Sequence, residues 1–247
     1  MTEDIETVRT FDSALLCGRD VETGYGDLQV LFGVDIDVRD DEIVLVFGPN
    51  GAGKSTLLEA LCKLRPLWEG RVTVDGRDVS GREPEEMIDQ GVCYVPQTAN
   101  VFPNLTVDEN LDVGGIRATD PEARRATLFE LFPRLRERRT QRVEMLSGGE
   151  RQMLAMARAL MPEPDVLLVD EPSAGLSPQL SDRAFEHIGR VREAGTAVLL
   201  VEQKVRTGLS VADRGYVLDA GETRFEGPAD ALSDSDRVRD LYLGRSE

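Results

Sequence analysis

The sequence predicts an α/β fold with a mostly parallel sheet, and three observations support this. The 247 residues are 40% hydrophobic, which is enough to bury a sizeable core in one large domain or two small ones. Residues 43–47, 166–169 and 197–201 are continuous apolar runs of the kind that form strands buried on both faces. An apolar helical stripe lies between the last two runs, so strand, helix and strand follow in the order of a right-handed βαβ crossover. The stripe consists of Leu180, Ala184, Ile188 and Val191.

The N-terminal part predicts a smaller antiparallel β subdomain. Residues 1–13 are polar and acidic, so we expect a tail there. Residues 15–38 contain alternating and β-branched residues with breaks at glycine, which predicts two antiparallel strands. Short strands are also predicted at 70–76 and 92–95.

Helical periodicity appears in two further places. Leucines from Leu57 to Leu64 recur at helical spacing, which predicts a helix that directly follows the strand 43–47. Residues 104–162 are mainly helical, and Asp120 with the proline after it is a typical helix start. We therefore expect a helical insertion subdomain over about 98–163, within a single domain that spans 14–247. The chain then continues to a predicted hairpin that turns at Ala220 and Gly221.

The charge balance excludes a nucleic-acid partner. Asp and Glu number 46 against 29 Lys and Arg, a net charge of −17, whereas a nucleic-acid surface needs the opposite sign. Only three of the basic residues are lysines, namely Lys54, Lys63 and Lys204. Acidity and scarce lysine together predict adaptation to a salt-rich cytoplasm; an acidic protein encoded by GC-rich DNA is the alternative.

Cysteine and hydropathy patterns limit the cellular setting. The three cysteines are far apart and there is one histidine, so neither a disulfide framework nor a zinc site is expected, and a reducing compartment follows. The acidic N-terminus has no apolar segment, and the longest apolar runs are far shorter than the roughly 20 residues of a membrane helix. We expect a chain that is neither exported nor membrane-spanning by itself.

Residues 48–55 (GPNGAGKS) satisfy the pattern GxxxxGK[ST] between a predicted strand and a predicted helix. In this context the pattern indicates a P-loop NTPase core, with an incidental glycine turn as the alternative. The glycines let backbone N–H groups face phosphates, and Lys54 can reach the β and γ oxygens. Ser55 can ligate Mg²⁺, so ATP and Mg²⁺ are the predicted cofactors.

Two carboxylates follow the buried run 166–169. Asp170 lies at the carboxyl end of that strand, where ligands bind in such sheets, and can hold the hydration shell of Mg²⁺. Glu171 is then free to act as the general base for the attacking water. An acidic turn at a strand end is the alternative, and the phosphate loop earlier in the chain argues against it.

Residues 146–150 (LSGGE) precede a helix rich in strong helix formers, which creates a second anion-binding helix start. The phosphate loop, this LSGGE segment and the Asp170–Glu171 pair, in this order, resemble the nucleotide-binding subunit of an ABC transporter. The resemblance runs from about residue 15 to 245.

The resemblance implies further roles. Tyr25 resembles the aromatic residue that stacks on adenine, and Gln97 resembles the Q-loop residue that touches Mg²⁺ and senses the membrane partner. Residues 173–177 occupy the D-loop. In this family ATP lies between two subunits, with the signature segment of one facing the phosphate loop of the other. The implied nucleotide contacts are Tyr25, Gly48, Pro49, Asn50, Gly51, Ala52, Gly53, Lys54, Ser55, Thr56, Gln97, Ser147, Gly148, Gly149 and Glu150. The implied metal contacts are Ser55, Gln97 and Asp170.

Four further segments resemble the shorter ATPase subunit of branched-chain amino-acid importers, namely residues 130–135, 145–150, 200–203 and 241–244. Urea and amide importers share many of these sequence motifs. The resemblance implies separate transmembrane permease chains, an extracellular binding protein acting indirectly, and a place on the cytoplasmic face of the membrane. It also implies a second ATPase subunit, identical or a sibling. A soluble ABC ATPase without a transport role, such as an iron–sulfur assembly scaffold, is the alternative, as is an ATP-gated clamp that barely hydrolyses.

Two residues depart from the family pattern. Gln203 stands where most members place the switch histidine, so the predicted catalytic set is Glu171, Lys54 and Gln203. A glutamine can donate a hydrogen bond to a γ-phosphate but carries no charge. Ser177 ends the D-loop in place of an aspartate.

Other conspicuous residues have plainer interpretations. The single histidine, His187, is expected to be a solvated helix residue. The arginines between Arg134 and Arg142 are expected to form a solvated face, with a partner contact as the alternative. Phe102, Leu105 and Val107 are core candidates, although the family places a transmembrane subunit against this region.

Overall fold

A computed structural model describes residues 14–98, 100–235 and 238. The predicted tail 1–13 and the motif 241–244 lie outside the described residues. The strands are β1 (Ala14–Tyr25), β2 (Leu28–Arg39), β3 (Ile43–Phe47), β4 (Glu69–Val74), β5 (Arg77–Asp78), β6 (Val92–Val95), β7 (Val166–Asp170), β8 (Ala197–Val201), β9 (Arg214–Asp219) and β10 (Glu222–Pro228). The α-helices are α1 (Lys54–Leu61), α2 (Val107–Gly114), α3 (Pro121–Leu131), α4 (Pro133–Glu137), α5 (Gly148–Ala159), α6 (Pro178–Glu193), α7 (Val205–Leu209) and α8 (Ala229–Asp234).

The strands form two sheets, which confirms the predicted fold class. The larger sheet has the order β10-β9-β3-β8-β7-β6 and is parallel except for the β9–β10 pair. The smaller sheet, β2-β1-β4-β5, is antiparallel throughout. Strands β3, β7 and β8 are buried along their whole length, which explains their continuous apolar sequence and confirms the prediction that they are covered on both faces.

Two buried clusters fill the molecule. One lies between the two sheets and includes α1, and the other joins the opposite side of the large sheet to the helices between β6 and β7. The predicted Asp120 cap is present, since its side chain accepts a hydrogen bond from the Ala123 N–H at 3.0 Å.

Helix α1 is shorter than predicted, because it ends at Leu61 and leaves Leu64 exposed. Lys63 adopts a left-handed conformation with φ of 65°, and the Arg65 N–H then donates to the Glu59 carbonyl at 3.1 Å. The chain therefore turns back toward β1 one helical turn early, which moves Arg65 beside the end of that strand.

The predicted hairpin is confirmed in β9 and β10. Ala220 and Gly221 both have positive φ, 48° and 80°, as a two-residue hairpin turn with the twist of its strands requires.

A buried ionic cluster joins the small sheet to the large one. Arg214 on β9 donates to the carboxylates of Asp37 at 2.9 Å and Glu42 at 2.8 Å. The hydroxyl of Tyr216 donates to the other Asp37 oxygen at 2.9 Å. These bonds raise the pKa of Arg214 although burial opposes them, so the cation is retained inside the junction.

None of the helices in the described residues is both long enough and apolar enough to cross a membrane.

Candidate functional site

The phosphate loop connects β3 to α1, as its sequence pattern predicts. Gly48 must be glycine, because an added Cβ would lie 1.8 Å from the carbonyl oxygen of Leu218 on β9. Gly53 has φ of 99°, which suits glycine and starts α1 without a side-chain cap. Because Gly53 has no side chain that could accept from them, the first N–H groups of α1 have no capping partner among the described residues, as an anion-binding helix start requires.

Lys54 lies inside this loop. Its Nζ donates to the carbonyls of Gly48 at 3.0 Å and Pro49 at 3.1 Å. Burial lowers the pKa of Lys54, while the nearby carboxylates of Glu171 and Asp170 raise it. The ammonium group is thus held at the loop by weak neutral acceptors, which phosphate oxygens can replace with stronger charge-assisted bonds.

Asp170 ends β7 and is almost fully buried. Its Oδ2 accepts from the Tyr94 hydroxyl at 3.3 Å, whereas the buried Oδ1 has no hydrogen-bond partner among the described residues. The pKa of Asp170 is raised above its usual value by burial, and the nearby Ser55 hydroxyl offsets only part of this shift. An orphaned carboxylate oxygen beside a hydroxyl fits the oxygen-rich environment of a hydrated Mg²⁺.

Glu171 follows Asp170 with an unusual backbone. Its φ is 44°, a left-handed conformation that costs a non-glycine residue about 1 kcal/mol or more. The Glu171 N–H donates to the carbonyl of Val201 on β8 at 2.9 Å, which fixes the residue at the sheet edge. Gln97 Nε2 donates to Oε2 and Gln203 Nε2 donates to Oε1, both at 2.7 Å. The structure therefore brings together three residues with predicted roles, namely the base Glu171, the Q-loop residue Gln97 and the switch residue Gln203.

Glu202, between β8 and Gln203, is a site residue that the sequence analysis did not single out. Its buried carboxylate accepts from the Ser173 N–H at 2.9 Å, the Ser173 hydroxyl at 3.0 Å and the Gln203 N–H at 3.2 Å. The pKa of Glu202 is raised above its usual value by burial, and these hydrogen bonds offset only part of this shift. The segment that holds Gln203 is thereby tied to the predicted D-loop. Glu202 follows an apolar strand, as Asp170 ends one, and this position is the sequence feature that could have identified Glu202.

The signature segment forms a capping box at the start of α5. Ser147 accepts from the Glu150 N–H at 3.3 Å, and Glu150 accepts from the Ser147 N–H at 2.9 Å. Arg138 at 3.0 Å and Arg134 at 3.3 Å bind the other Glu150 oxygen. Burial would raise the pKa of Glu150, but these bonds hold it below its usual value.

The arginines from Arg134 to Arg142 are mostly exposed, as predicted, and several of them also pair with carboxylates. Two of them hold Glu150, and Arg139 pairs with Asp108 at 2.8 Å. In the part of the chain that the structure describes, no hydrogen bond joins the segment 147–150 to the phosphate loop.

Tyr25 lies at the end of β1 beside α1. The residue is 47% exposed, and its hydroxyl is 3.4 Å from both Thr56 Oγ1 and Glu59 Oε2. The guanidinium carbon of Arg65 lies 3.6 Å from the ring centroid. The predicted adenine-stacking residue is thus accessible next to the phosphate loop, and nothing in the sequence pattern pointed to Arg65.

The expectation for His187 was wrong. The ring is half-buried and packs on Phe132 with centroids 5.1 Å apart, and its Nδ1 has no hydrogen-bond partner among the described residues. Burial lowers the pKa of His187 and the adjacent Arg190 adds to this. The neutral imidazole is consequently a packing group on α6.

The three core candidates after Gln97 divide. Val107 is fully buried and Leu105 is partly buried, whereas Phe102 is 44% exposed and lies beside Arg158. Asn110 holds this segment in place, since its side chain accepts from the Phe102 N–H at 2.8 Å and donates to the Phe102 carbonyl at 3.1 Å. Phe102 borders a cleft of about 330 Å³ that Leu64 and Val113 also line.

A family model and similar curated proteins agree on one family for this chain. A family described as ABC transporter matches residues 31–174. The high-affinity branched-chain amino acid transport ATP-binding protein BraG of Pseudomonas aeruginosa is 43% identical over 226 residues, which are 91% of this chain and 97% of that protein. The probable branched-chain amino acid transport ATP-binding protein LivF of Archaeoglobus fulgidus is 39% identical over 227 residues, 91% of this chain and 96% of that protein.

Solved structures agree. A nucleotide-free ATP-binding cassette from an ABC transporter has a TM-score of 0.84 and 27% identity, over 94% of this chain and 100% of that one. The ADP conformation of such a cassette gives the same TM-score and identity, over 94% and 99%.

Proposed function

Because the chain belongs to the ABC transporter family of ATP-binding proteins, we propose that it hydrolyses ATP to power the uptake of branched-chain amino acids or related small amides through separate permease chains. The observation that carries hydrolysis is the placement of Lys54, Asp170 and Glu171 together at the carboxyl edge of the parallel sheet. The substrate class follows from the two branched-chain transport relatives.

The residues receive the following roles. Lys54 and the N–H groups of the loop bind the β- and γ-phosphates, and Glu171 accepts a proton from the attacking water. Gln203 donates its neutral amide toward the γ-phosphate and Gln97 contacts the metal. Tyr25 stacks on adenine. The loop residues Gly48, Pro49, Asn50, Gly51, Ala52, Gly53, Ser55 and Thr56 surround the phosphates.

Ser55, Gln97 and Asp170 would hold Mg²⁺, and the orphaned Oδ1 of Asp170 supports this assignment. When bound, the ion neutralises charge that develops on the phosphate oxygens. Both oxygens of Glu171 accept hydrogen bonds from neutral amides, and we assign proton transfer to Glu171 because Asp170 is assigned to the metal.

A second ATPase subunit completes the site. Ser147, Gly148, Gly149 and Glu150 would bind the nucleotide of the facing subunit. The capping box uses the N–H groups of Ser147 and Glu150, so those of Gly148 and Gly149 would bind the anion, and among the described residues the phosphate loop of the same chain makes no hydrogen bond to this segment. The facing subunit is a second copy or a sibling, and residues 173–177 lie in this interface.

The permease partner would dock at the cleft beside Phe102. The cleft adjoins the segment after Gln97, so a partner seated there can move the residue that holds Glu171. Docking would place the chain on the cytoplasmic face of the membrane, with an extracellular binding protein acting through the permease. The acidic, lysine-poor composition further supports a salt-rich cytoplasm.

The test is phosphate release and substrate uptake by the chain copurified in detergent with its permease subunits. Glu171→Gln should lower turnover by about 10² to 10⁴ while ATP binding persists. Reconstituted vesicles should accumulate labelled leucine with the parent and not with Glu171→Gln. A variant that keeps more than about a third of the parental rate would remove Glu171 from the role of base. Failure to recover any permease chain would instead favour the soluble scaffold ATPase.

A further inference from the structure

We propose that Arg65 is a positioning residue for the nucleobase, which it serves by fixing the ring of Tyr25. The inference rests on the proposed binding of ATP and deepens it. Arg65 lies outside every motif of the site, and the early end of α1 brings it to β1.

The guanidinium of Arg65 is held on three sides. Its Nε and Nη2 donate to Glu59 Oε2 at 2.9 and 2.6 Å, and its Nη1 donates to the Gly24 carbonyl at 3.2 Å. The Arg65 N–H also binds the Glu59 carbonyl, so backbone and side chain are anchored to the same residue. A guanidinium with its donors fixed in this way is a rigid plane, which a lysine cannot provide.

This plane covers one face of the Tyr25 ring. At 3.6 Å from the centroid, the contact is a close cation–π interaction. Tyr25 as a whole remains 47% exposed, and we infer that the face of its ring opposite Arg65 receives the planar base. Because Arg65 limits the rotation of Tyr25 before nucleotide arrives, less side-chain entropy is lost on stacking. Arg65 should therefore contribute to the binding of the base and not to the binding of the phosphates.

The experiment compares two probes, Mg-ATP and magnesium tripolyphosphate, which share the phosphates but not the base. Arg65→Ala should raise the Kd of Mg-ATP between about threefold and thirtyfold. The Kd of tripolyphosphate should change less than about twofold, and kcat at saturating ATP should stay near the parental value while KM rises. Arg65→Lys, which keeps the charge and loses the fork, should weaken ATP binding less than Arg65→Ala.

Two further variants keep the test decisive. Tyr25→Ala combined with Arg65→Ala should bind ATP no worse than Tyr25→Ala alone, because the arginine acts through the ring. Arg77→Ala removes an exposed arginine from β5, in the sheet that also contains Tyr25, and this variant should bind both probes as the parent does. Should Arg65→Ala fail to fold, Glu59→Ala removes the carboxylate that anchors the guanidinium, together with the weak acceptor of the Tyr25 hydroxyl at 3.4 Å, and should raise the Kd of ATP in the same direction.

The outcomes separate the inference from the function. Unchanged ATP affinity in Arg65→Ala, or equal losses for both probes, overturns the role of Arg65 and leaves ATP binding intact. A parent that binds neither probe contradicts the proposed function itself.

Discussion

The side-chain nitrogen of Gln203 lies 2.7 Å from Oε1 of Glu171, and the corresponding nitrogen of Gln97 lies at the same distance from Oε2. Both oxygens of one carboxylate are therefore occupied by neutral amide donors from two separate segments. Neither donor changes its charge with pH, so this arrangement does not depend on an imidazole.

Gln203→Ala should slow phosphate release by about tenfold or more, because it removes a donor from the site. Gln203→His should introduce an ionisation near neutral pH into the rate profile, since histidine titrates there. Steady-state rates at saturating Mg-ATP between pH 6 and 8.5 measure both effects.

His187→Ala provides the matched control, because it removes the single histidine from outside the site. Its rate should stay within about twofold of the parent. A parental rate in Gln203→Ala would contradict the role of Gln203, and an inactive His187→Ala would show that the switch residue has been misplaced.

Arg214→Met should lower the free energy of unfolding by about 3 kcal/mol, because Glu42 would remain buried without its cation and Asp37 would keep only the exposed Arg39 at 3.3 Å. Urea unfolding measures the change. Arg224→Met removes an exposed pair with Glu222 and should cost about 0.5 kcal/mol or less. Equal costs for the two variants would contradict a buried cluster at the junction of the sheets.

The packing of His187 predicts a pH dependence of stability. Since the folded pKa is lowered below that of the unfolded chain, the unfolded chain binds more protons as the pH falls through the unfolded pKa. Stability is therefore lost toward acid and levels off below the folded pKa. His187→Phe, which can still pack on Phe132, should lose less stability than the parent between pH 7.5 and 5.5 in urea titrations. Parallel curves for the two proteins would show that burial of His187 has no such effect.

Salt should stabilise the fold. With a net charge of −17, the melting temperature should rise as KCl increases from 0.1 M, where the Debye length is about 10 Å, toward molar concentrations. Calorimetry across this series checks it. A flat or falling melting temperature would leave the acidic composition without a link to salt.

The sequence predicted those parts of the molecule that depend on local order. The apolar runs of β3, β7 and β8 have one cause, burial on both faces, so they could be recognised without knowing their neighbours. The phosphate loop and the Asp170–Glu171 pair were found because their chemistry requires residues at fixed spacing. The early end of α1 was missed because the leucine stripe continues to Leu64 while Lys63 turns the backbone.

Contacts between distant segments could not be predicted in the same way. Arg134 and Glu150, or Phe132 and His187, are far apart in sequence, and only the packing of the helices brings them together. Glu202 ends an apolar strand just as Asp170 does, but its function as an acceptor for Ser173 depends on how two loops meet.

The left-handed backbone of Glu171 has a consequence for protein engineering. Glycine or asparagine would occupy that conformation at lower cost, so a screen for thermostability alone would favour replacing the residue that we propose as the general base. Variants selected in this way would accumulate as well-folded nucleotide binders with little turnover. A selection scheme for this chain therefore has to score phosphate release together with heat resistance, because at position 171 the two properties favour different residues.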